Sequence, residues 1–86
     1  MRLRVTKRFK RSYRSLPQDD QKRVQKALRQ MAENLRYPSL RVKRIQGTSK
    51  IWEARASRLL RITFEVEGED LILRNVGPHD AALRKP

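Results

Sequence analysis

The stretch "LLRITFEVEGEDLILRNVG", from Leu59 to Gly77, decides the fold of this 86-residue chain. Apolar and polar residues alternate on both sides of a central "EGED", and a period of two is typical of strands with one buried face. Glycine between acidic residues favours a tight turn. The stretch therefore predicts a β-hairpin that places one set of side chains in the core and the other set outside it.

Two further strands are predicted on either side of this hairpin. "IWEARAS" (51–57) has the same alternation and is joined to the hairpin by a turn at Ser57–Arg58, which gives a three-stranded antiparallel meander. "LRVT" (3–6) alternates apolar and basic residues and suits a short strand near the start of the chain.

The hydrophobic pattern also predicts how the strands pair. The expected pairs are Val66–Leu71, Phe64–Leu73 and Thr63–Arg74 within the hairpin, and Trp52–Ile62, Ala54–Leu60 and Glu53–Arg61 beside it. One face of the sheet is then apolar. The other face carries Glu53, Arg55, Arg61, Thr63 and Arg74 and is expected to be an open, basic strip. A slip of one residue in the strand register would bury the arginines, so the hydrophobic pattern decides which face of the sheet each residue joins.

Two helices are predicted before the meander. Phe9, Tyr13 and Leu16 recur at helical spacing up to Pro17. The second helix begins near Pro17, with Asp19 and Asp20 in its first turn, where negative charge suits the helix dipole. Its apolar stripe consists of Val24, Ala27, Leu28, Met31, Ala32 and Leu35. The sequence therefore predicts an α+β fold over residues 1–86, one domain with an N-terminal helical hairpin packed on one face of a small, twisted antiparallel sheet.

Composition narrows the possible functions. The chain has 22 Lys and Arg, nine acidic residues, one histidine and no cysteine, for a formal charge of +13. No apolar run approaches the length of a membrane span, and the first residues lack the apolar centre of a signal peptide, so a cytoplasmic protein is expected. One histidine without cysteine cannot form a zinc site, and we expect neither a metal nor a cofactor.

The positive charge is concentrated before the hairpin. Residues 1–64 hold nineteen basic and four acidic residues, a net charge of +15. A surface this positive attracts phosphate backbones and gains affinity by releasing their counterions. The expected partner is a nucleic acid or an acidic protein. Within this region, the exposed connector supplies Arg41, Lys43, Arg44 and Lys50, and the first turn of the meander supplies Arg58, as candidate contacts to RNA or the ribosome.

The polar face of the sheet carries groups suited to cleaving RNA. Guanidinium groups bind phosphate oxygens and stay charged, and imidazole transfers protons near neutral pH. Arg55, Arg61 and Arg74, with His79 just after the last strand, form a candidate catalytic set that needs no metal. Glu53 is the nearest candidate base, although a carboxylate opposite an arginine is more often its ion-pair partner. Solvated arginines and a structural turn histidine are the alternative reading.

The motifs "IWEARAS" and "LLRITFEVEGEDLILRNVGPHD" resemble those of the RelE/ParE superfamily, the toxins of type II toxin–antitoxin modules. Family members share the order of elements, an aromatic residue early in the second strand, a "YRLVY"-like strand, an acidic-glycine hairpin, and a short ending with His or Arg. "GPHD" followed by "AALRKP" is similar to such an ending. The resemblance covers nearly the whole chain and implies a fold related to that of microbial ribonucleases.

For function, the resemblance implies a ribosome-dependent messenger RNA endonuclease that inhibits translation without metal. Arg61 matches the strand arginine that stabilises phosphate charge, Arg55 matches a basic residue of the second strand, and His79 matches the residue that protonates the leaving oxygen. The implied partners are the ribosome, messenger RNA and an acidic antitoxin, through which the complex would bind operator DNA. The alternatives are a ParE-like DNA gyrase inhibitor that cuts nothing and a non-catalytic nucleic-acid-binding module.

Overall fold

The computed structural model describes residues 1–86, and its architecture confirms the predicted α+β class. In chain order the elements are β1 (Arg2–Val5), α1 (Lys7–Arg14), α2 (Gln18–Glu33), a 3₁₀ helix (Pro38–Leu40), β2 (Lys43–Arg44), β3 (Trp52–Arg55), β4 (Leu60–Glu67), β5 (Asp70–Pro78) and α3 (His79–Arg84). The strands form one mostly antiparallel sheet in the order β1-β5-β4-β3-β2. None of the helices combines the length and apolar content that a membrane crossing requires.

The core lies between the N-terminal helices and one face of the sheet. Its fully or almost fully buried members include Phe9, Val24, Ala27 and Met31 from α1 and α2, and Ala54, Leu60, Ile62, Phe64, Leu71 and Leu73 from the strands. The predicted helical stripe and the predicted apolar face are therefore the two halves of this core. Val66 departs from the pattern and is 45% exposed, close to the tip of the β4–β5 hairpin.

Thr6, between β1 and α1, connects both elements to β5 through hydrogen bonds. Its hydroxyl oxygen accepts the amide of Phe9 at 3.1 Å and so caps α1, while its hydroxyl donates to the carbonyl of Leu73 at 2.7 Å. β1 pairs in parallel with β5, from Arg2 opposite Asp70 to Val5 opposite Leu73. Past that point α1 lies beside β5 in place of a strand.

Part of the predicted pairing is wrong, although the assignment of residues to faces is correct. In the hairpin, Val66–Leu71 and Phe64–Leu73 are confirmed, but a bulge at Arg74 pairs Thr63 with Asn75. Beside it the register is shifted by two residues, with Trp52–Phe64, Ala54–Ile62, Glu53–Thr63 and Arg55–Arg61 as the pairs. The shift arises because Ala56 donates its amide to Leu60, whereas the predicted pairs place Ala54 opposite Leu60. A two-residue shift leaves every side chain on its predicted face.

The second face of the sheet is not the open strip that the sequence predicts. Glu53 and Arg61 are each only 5% exposed, and Thr63 is fully buried. Helix α3 is not among the elements predicted from the sequence. It contacts β4 and β5, and the Thr63 hydroxyl donates to the carbonyl of Pro86 beyond it at 3.5 Å. Asn75 donates to the carbonyl of Lys85 at 3.1 Å. The segment after β5 therefore covers part of this face and confines any site to what remains uncovered.

Candidate active site at the loop end of the sheet

The candidate site lies around the loop between β3 and β4, residues 56–59, together with Arg55, Arg61 and His79; we call this region the loop end. Arg55 is directly opposite Arg61 on neighbouring strands. On its other side Arg61 is paired with Gly77, and a Cβ added to that glycine would meet no heavy atom within 4 Å. Arg61 therefore lies between an arginine on one neighbouring strand and a residue without a side chain on the other.

The Arg61 side chain holds the loop in place. Its Nη1 donates to the carbonyls of Ser57 at 3.2 Å, Arg58 at 3.0 Å and Leu60 at 3.1 Å. Its Nε lies 3.5 Å from Glu53 Oε1 and makes no hydrogen bond. The predicted ion pair between these two side chains is thus present, but it runs diagonally across the strands because the register differs from the predicted one.

Burial disfavours the charged form of Arg61. Desolvation lowers its pKa below the ordinary value, the neighbouring charge of Arg55 lowers it further, and Glu53 acts in the opposite direction. An arginine remains protonated in spite of such a shift. The result is a cation with little water around it and one imperfect counter-charge, and such a cation interacts more strongly with an added anion than an exposed one does.

His79 is hydrogen-bonded to the same loop, although most of β4 and all of β5 separate it from Arg61 in the sequence. Its amide donates to the carbonyl of Leu59 at 2.7 Å, and the preceding Pro78 is paired with Leu60. The imidazole is half exposed, with Nδ1 2.9 Å from Oδ1 of Asp80 and no hydrogen-bond partner at Nε2. Asp80 thereby orients the ring, and the hydrogen bond from His79, the charge of that ring and the charge of Arg84 hold the pKa of Asp80 below its usual range.

Two of the predicted catalytic residues occupy positions other than those expected. Glu53 is buried against Arg61 as its counter-charge instead of facing solvent. Arg74, the bulge residue, pairs with Glu65 and donates to the carbonyl of Pro86 at 3.2 Å. Its charge is already matched, and its side chain is directed away from the loop end. The structure thus brings together Arg55, Arg61 and His79 but leaves Arg74 apart.

The predicted nucleic-acid contacts fall into separate groups. Arg41, Lys43 and Arg44 are exposed and follow the β2 edge of the sheet. Lys50 borders a cavity that also includes Glu65 and Arg74. Only Arg58 lies at the loop end, where it is exposed beside Arg55.

Sequence reasoning missed three charged residues near this site. Asp80, in the "GPHD" ending, contacts the His79 ring. Arg23 and Lys26 of α2 border a cavity together with Arg55 and Arg58. The available signal was their spacing, since they directly precede two positions of the buried stripe and must flank the helix face that packs on the sheet. No group of three or more His, Cys, Asp or Glu side chains is placed to hold a metal ion.

No protein-family model matches the sequence, and no curated protein does. Among solved structures, the fold is similar to that of the RelB–RelE antitoxin–toxin complex from Methanococcus jannaschii (24% identity, TM-score 0.74, 91% of this chain and 92% of that one). It is also similar to YafQ from Escherichia coli (10%, 0.78, 94% and 97%) and to a YoeB/ParE toxin from Agrobacterium tumefaciens (15%, 0.75, 92% and 99%). The chain therefore shares the fold of these RelE, YafQ and YoeB/ParE proteins along nearly its full length.

Proposed function

We propose that this chain is the toxin of a type II toxin–antitoxin module and that it cleaves messenger RNA on the ribosome. The observation that carries the proposal is that Arg55 and Arg61 lie opposite each other on the two strands that flank one loop, and that the backbone of the distant His79 is hydrogen-bonded to the same loop. The likeness in fold to RelE, YoeB and YafQ toxins supports the same assignment.

The proposed reaction is attack of a 2′-hydroxyl on the adjacent phosphorus. The 2′-hydroxyl gives its proton to solvent water, its oxygen forms a bond to phosphorus, the bond to the 5′-oxygen breaks, and that oxygen leaves with a proton. We assign His79 Nε2 as the donor of this proton, because the nitrogen is free and Asp80 fixes the ring through Nδ1. Arg55 and Arg61 stabilise the additional negative charge of the phosphorane.

Glu53 has a supporting part in this scheme. It is buried beside Arg61, and its carboxylate offsets a charge that would otherwise be isolated in the domain. We therefore assign it to positioning the guanidinium, and we assign Arg74, which is paired with Glu65, to the structure of the tail.

The proposal is tested by changing His79→Gln and measuring message cleavage on programmed ribosomes. We expect the cleavage rate to fall by about 10²–10⁴, the usual contribution of a general acid, with ribosome binding and circular dichroism unchanged. Arg84→Gln, which removes the charge of an exposed residue on the same helix, is the matched control, and this variant should cleave at nearly the wild-type rate. Full-rate cleavage by a folded His79→Gln protein would contradict the assignment. A wild type that cuts no message but inhibits supercoiling would favour the gyrase alternative.

We also propose that the partner is an acidic antitoxin. The similar toxins from Methanococcus jannaschii and Escherichia coli were crystallised with RelB antitoxins, and a chain of +13 complements a negatively charged partner. Because electrostatic steering acts mainly on encounter, the association rate should fall by about tenfold or more between low and high salt. Stopped-flow mixing with the antitoxin measures this rate, and a salt-independent rate would count against the proposal.

A further inference from the structure

A cavity of about 210 Å³ lies between α2 and the loop end of the sheet. Arg23 and Lys26 border it from α2, and Arg55 and Arg58 border it from β3 and the loop. The remaining lining residues are small or uncharged, namely Ala27, Gln30, Ser39, Ala56 and Ser57. Four cations thus surround one small space that no acidic side chain lines.

These four cations are poorly neutralised by the rest of the protein. Only Arg23 has an ion pair, with Asp20 at 3.1 Å, and that carboxylate borders the neighbouring groove instead of this cavity. Like charges around a shared cavity repel one another and do not stabilise the fold. An anion that enters the cavity would reduce this repulsion and gain several charge-assisted contacts at once.

Uncharged donors complete the lining. The hydroxyl of Ser57 accepts the amide of Leu60 at 3.3 Å, so its own proton remains available to donate. On the opposite wall the Ser39 hydroxyl donates to Oε1 of Gln30 at 3.4 Å, which leaves the side-chain amide nitrogen of Gln30 as the donor there. Guanidinium, ammonium and hydroxyl groups around one space suit the oxygens of a phosphate group.

The cavity is continuous with the candidate active site. Arg55 belongs to both, since it borders the cavity and lies opposite Arg61. The carbonyls of Ser57 and Arg58 are held by Arg61, so the same loop forms a wall of the cavity and the frame of the site. A nucleic-acid strand with one phosphate in the cavity would extend past Arg55 toward Arg61 and His79.

We propose that this cavity binds a backbone phosphate of single-stranded RNA, next to the phosphate that is cleaved. The identity of the strand rests on the proposed function, whereas the binding of an RNA phosphate does not require cleavage. Arg23 and Lys26 are the residues that this proposal adds to the site.

The test compares two double variants of α2 with the same change in charge. Arg23→Gln with Lys26→Gln removes two cations from the cavity. Lys22→Gln with Arg29→Gln removes two exposed cations of the same helix that do not border it. The probe is a short 2′-O-methyl RNA, which lacks the attacking hydroxyl, and fluorescence anisotropy gives its affinity over a series of salt concentrations.

We expect the cavity variant to bind the RNA about tenfold more weakly, and the slope of log affinity against log salt to fall by about 0.7, which corresponds to one lost phosphate contact. The control pair should lose less than about threefold, and Arg23→Lys with Lys26→Arg should retain most of the affinity. Equal losses in the cavity and control variants would overturn the proposal, because the cations would then act only through the overall field.

A second probe separates RNA from a protein partner. A short polyglutamate peptide is titrated against the same variants; if the cavity variant weakens peptide binding but leaves RNA binding intact, the cavity is a protein-docking site and the proposal fails. The proposed function fails separately if the wild type does not cleave messenger RNA while the cavity and control variants still differ in their affinity for RNA.

Discussion

The two ends of the sheet differ in whether their arginines are paired with carboxylates. At the hairpin end, around the turn at Gly68 and Glu69, each nearby arginine has a carboxylate partner: Arg2 with Asp70 at 2.9 Å, Arg4 with Glu67 at 3.2 Å, and Arg74 with Glu65. At the loop end, Arg55 and Arg58 have no ion pair, and Arg61 has only Glu53, at 3.5 Å. Basic residues of similar kind are thus neutralised at one end and left available at the other.

This difference separates charges that serve the fold from charges that can serve a ligand. The Arg4–Glu67 pair, in which both side chains are more than half exposed, contributes about 1 kcal/mol or less to stability. All three pairs of the hairpin end nevertheless cancel the local field. At the loop end the buried Arg61 keeps its field because little water screens it. A functional site is expected where uncompensated charge is held in a fixed geometry, and the loop end meets that description.

The largest expected effect is on catalysis, and it should differ between the two ends. Arg61→Ala removes the charge that we propose stabilises the reacting phosphate, together with the three hydrogen bonds that hold the loop, so cleavage should fall by about 10² or more. Arg74→Ala removes an arginine that is already paired with Glu65, so the rate should change by less than about tenfold.

Cleavage on programmed ribosomes measures both variants, with circular dichroism as the folding control. Arg61→Lys should recover only part of the loss, because an ammonium lacks the planar donor geometry of a guanidinium. Equal losses for Arg61→Ala and Arg74→Ala would show that both ends of the sheet serve the reaction and would remove the distinction drawn between them.

The second effect is on stability. Glu53→Gln leaves a buried arginine without a counter-charge, and the free energy of unfolding should fall by about 3 kcal/mol. Glu67→Gln makes the same chemical change at the hairpin end, where the side chain is 70% exposed, and should cost less than about 1 kcal/mol. Urea denaturation of the two variants and the wild type measures the difference. A loss at Glu53 no greater than that at Glu67 would mean that Arg61 does not depend on this carboxylate.

The smallest effect concerns the contact that orients His79. The pKa of Asp80 lies below its ordinary value of about 3.8, first because His79 donates a hydrogen bond to it. In His79→Gln the pKa of Asp80 should therefore rise toward that ordinary value, as followed by carboxyl-carbon NMR during an acid titration. Because the folded-state pKa is lowered, any stabilisation from this contact is present above the ordinary pKa and is lost as the pH falls through the folded value. An unchanged Asp80 pKa would show that the two side chains do not interact in solution.

The errors made from the sequence are informative because they are local. The β4–β5 pairing near the turn is correct, since a two-residue tip between alternating strands leaves one register that buries Phe64 and Leu73. The bulge at Arg74 and the later turn after Ala56 each move the pairing without changing which face a side chain joins. Alternation encodes the face of a residue, whereas its exact partner depends on turn geometry that the pattern does not contain.

The sequence by itself determined the class of fold, the two faces of the sheet and the excess of positive charge, because these depend on periodicity and composition along the chain. It also pointed to Arg55, Arg61, Arg74 and His79 as a set, from which the structure separates Arg74. Only the tertiary structure decided that the second face is partly covered, that Glu53 is a buried counter-charge, and that Arg23 and Lys26 join the loop end. These outcomes depend on contacts between distant segments, because the neighbours that a charged side chain acquires on folding decide whether its charge is neutralised.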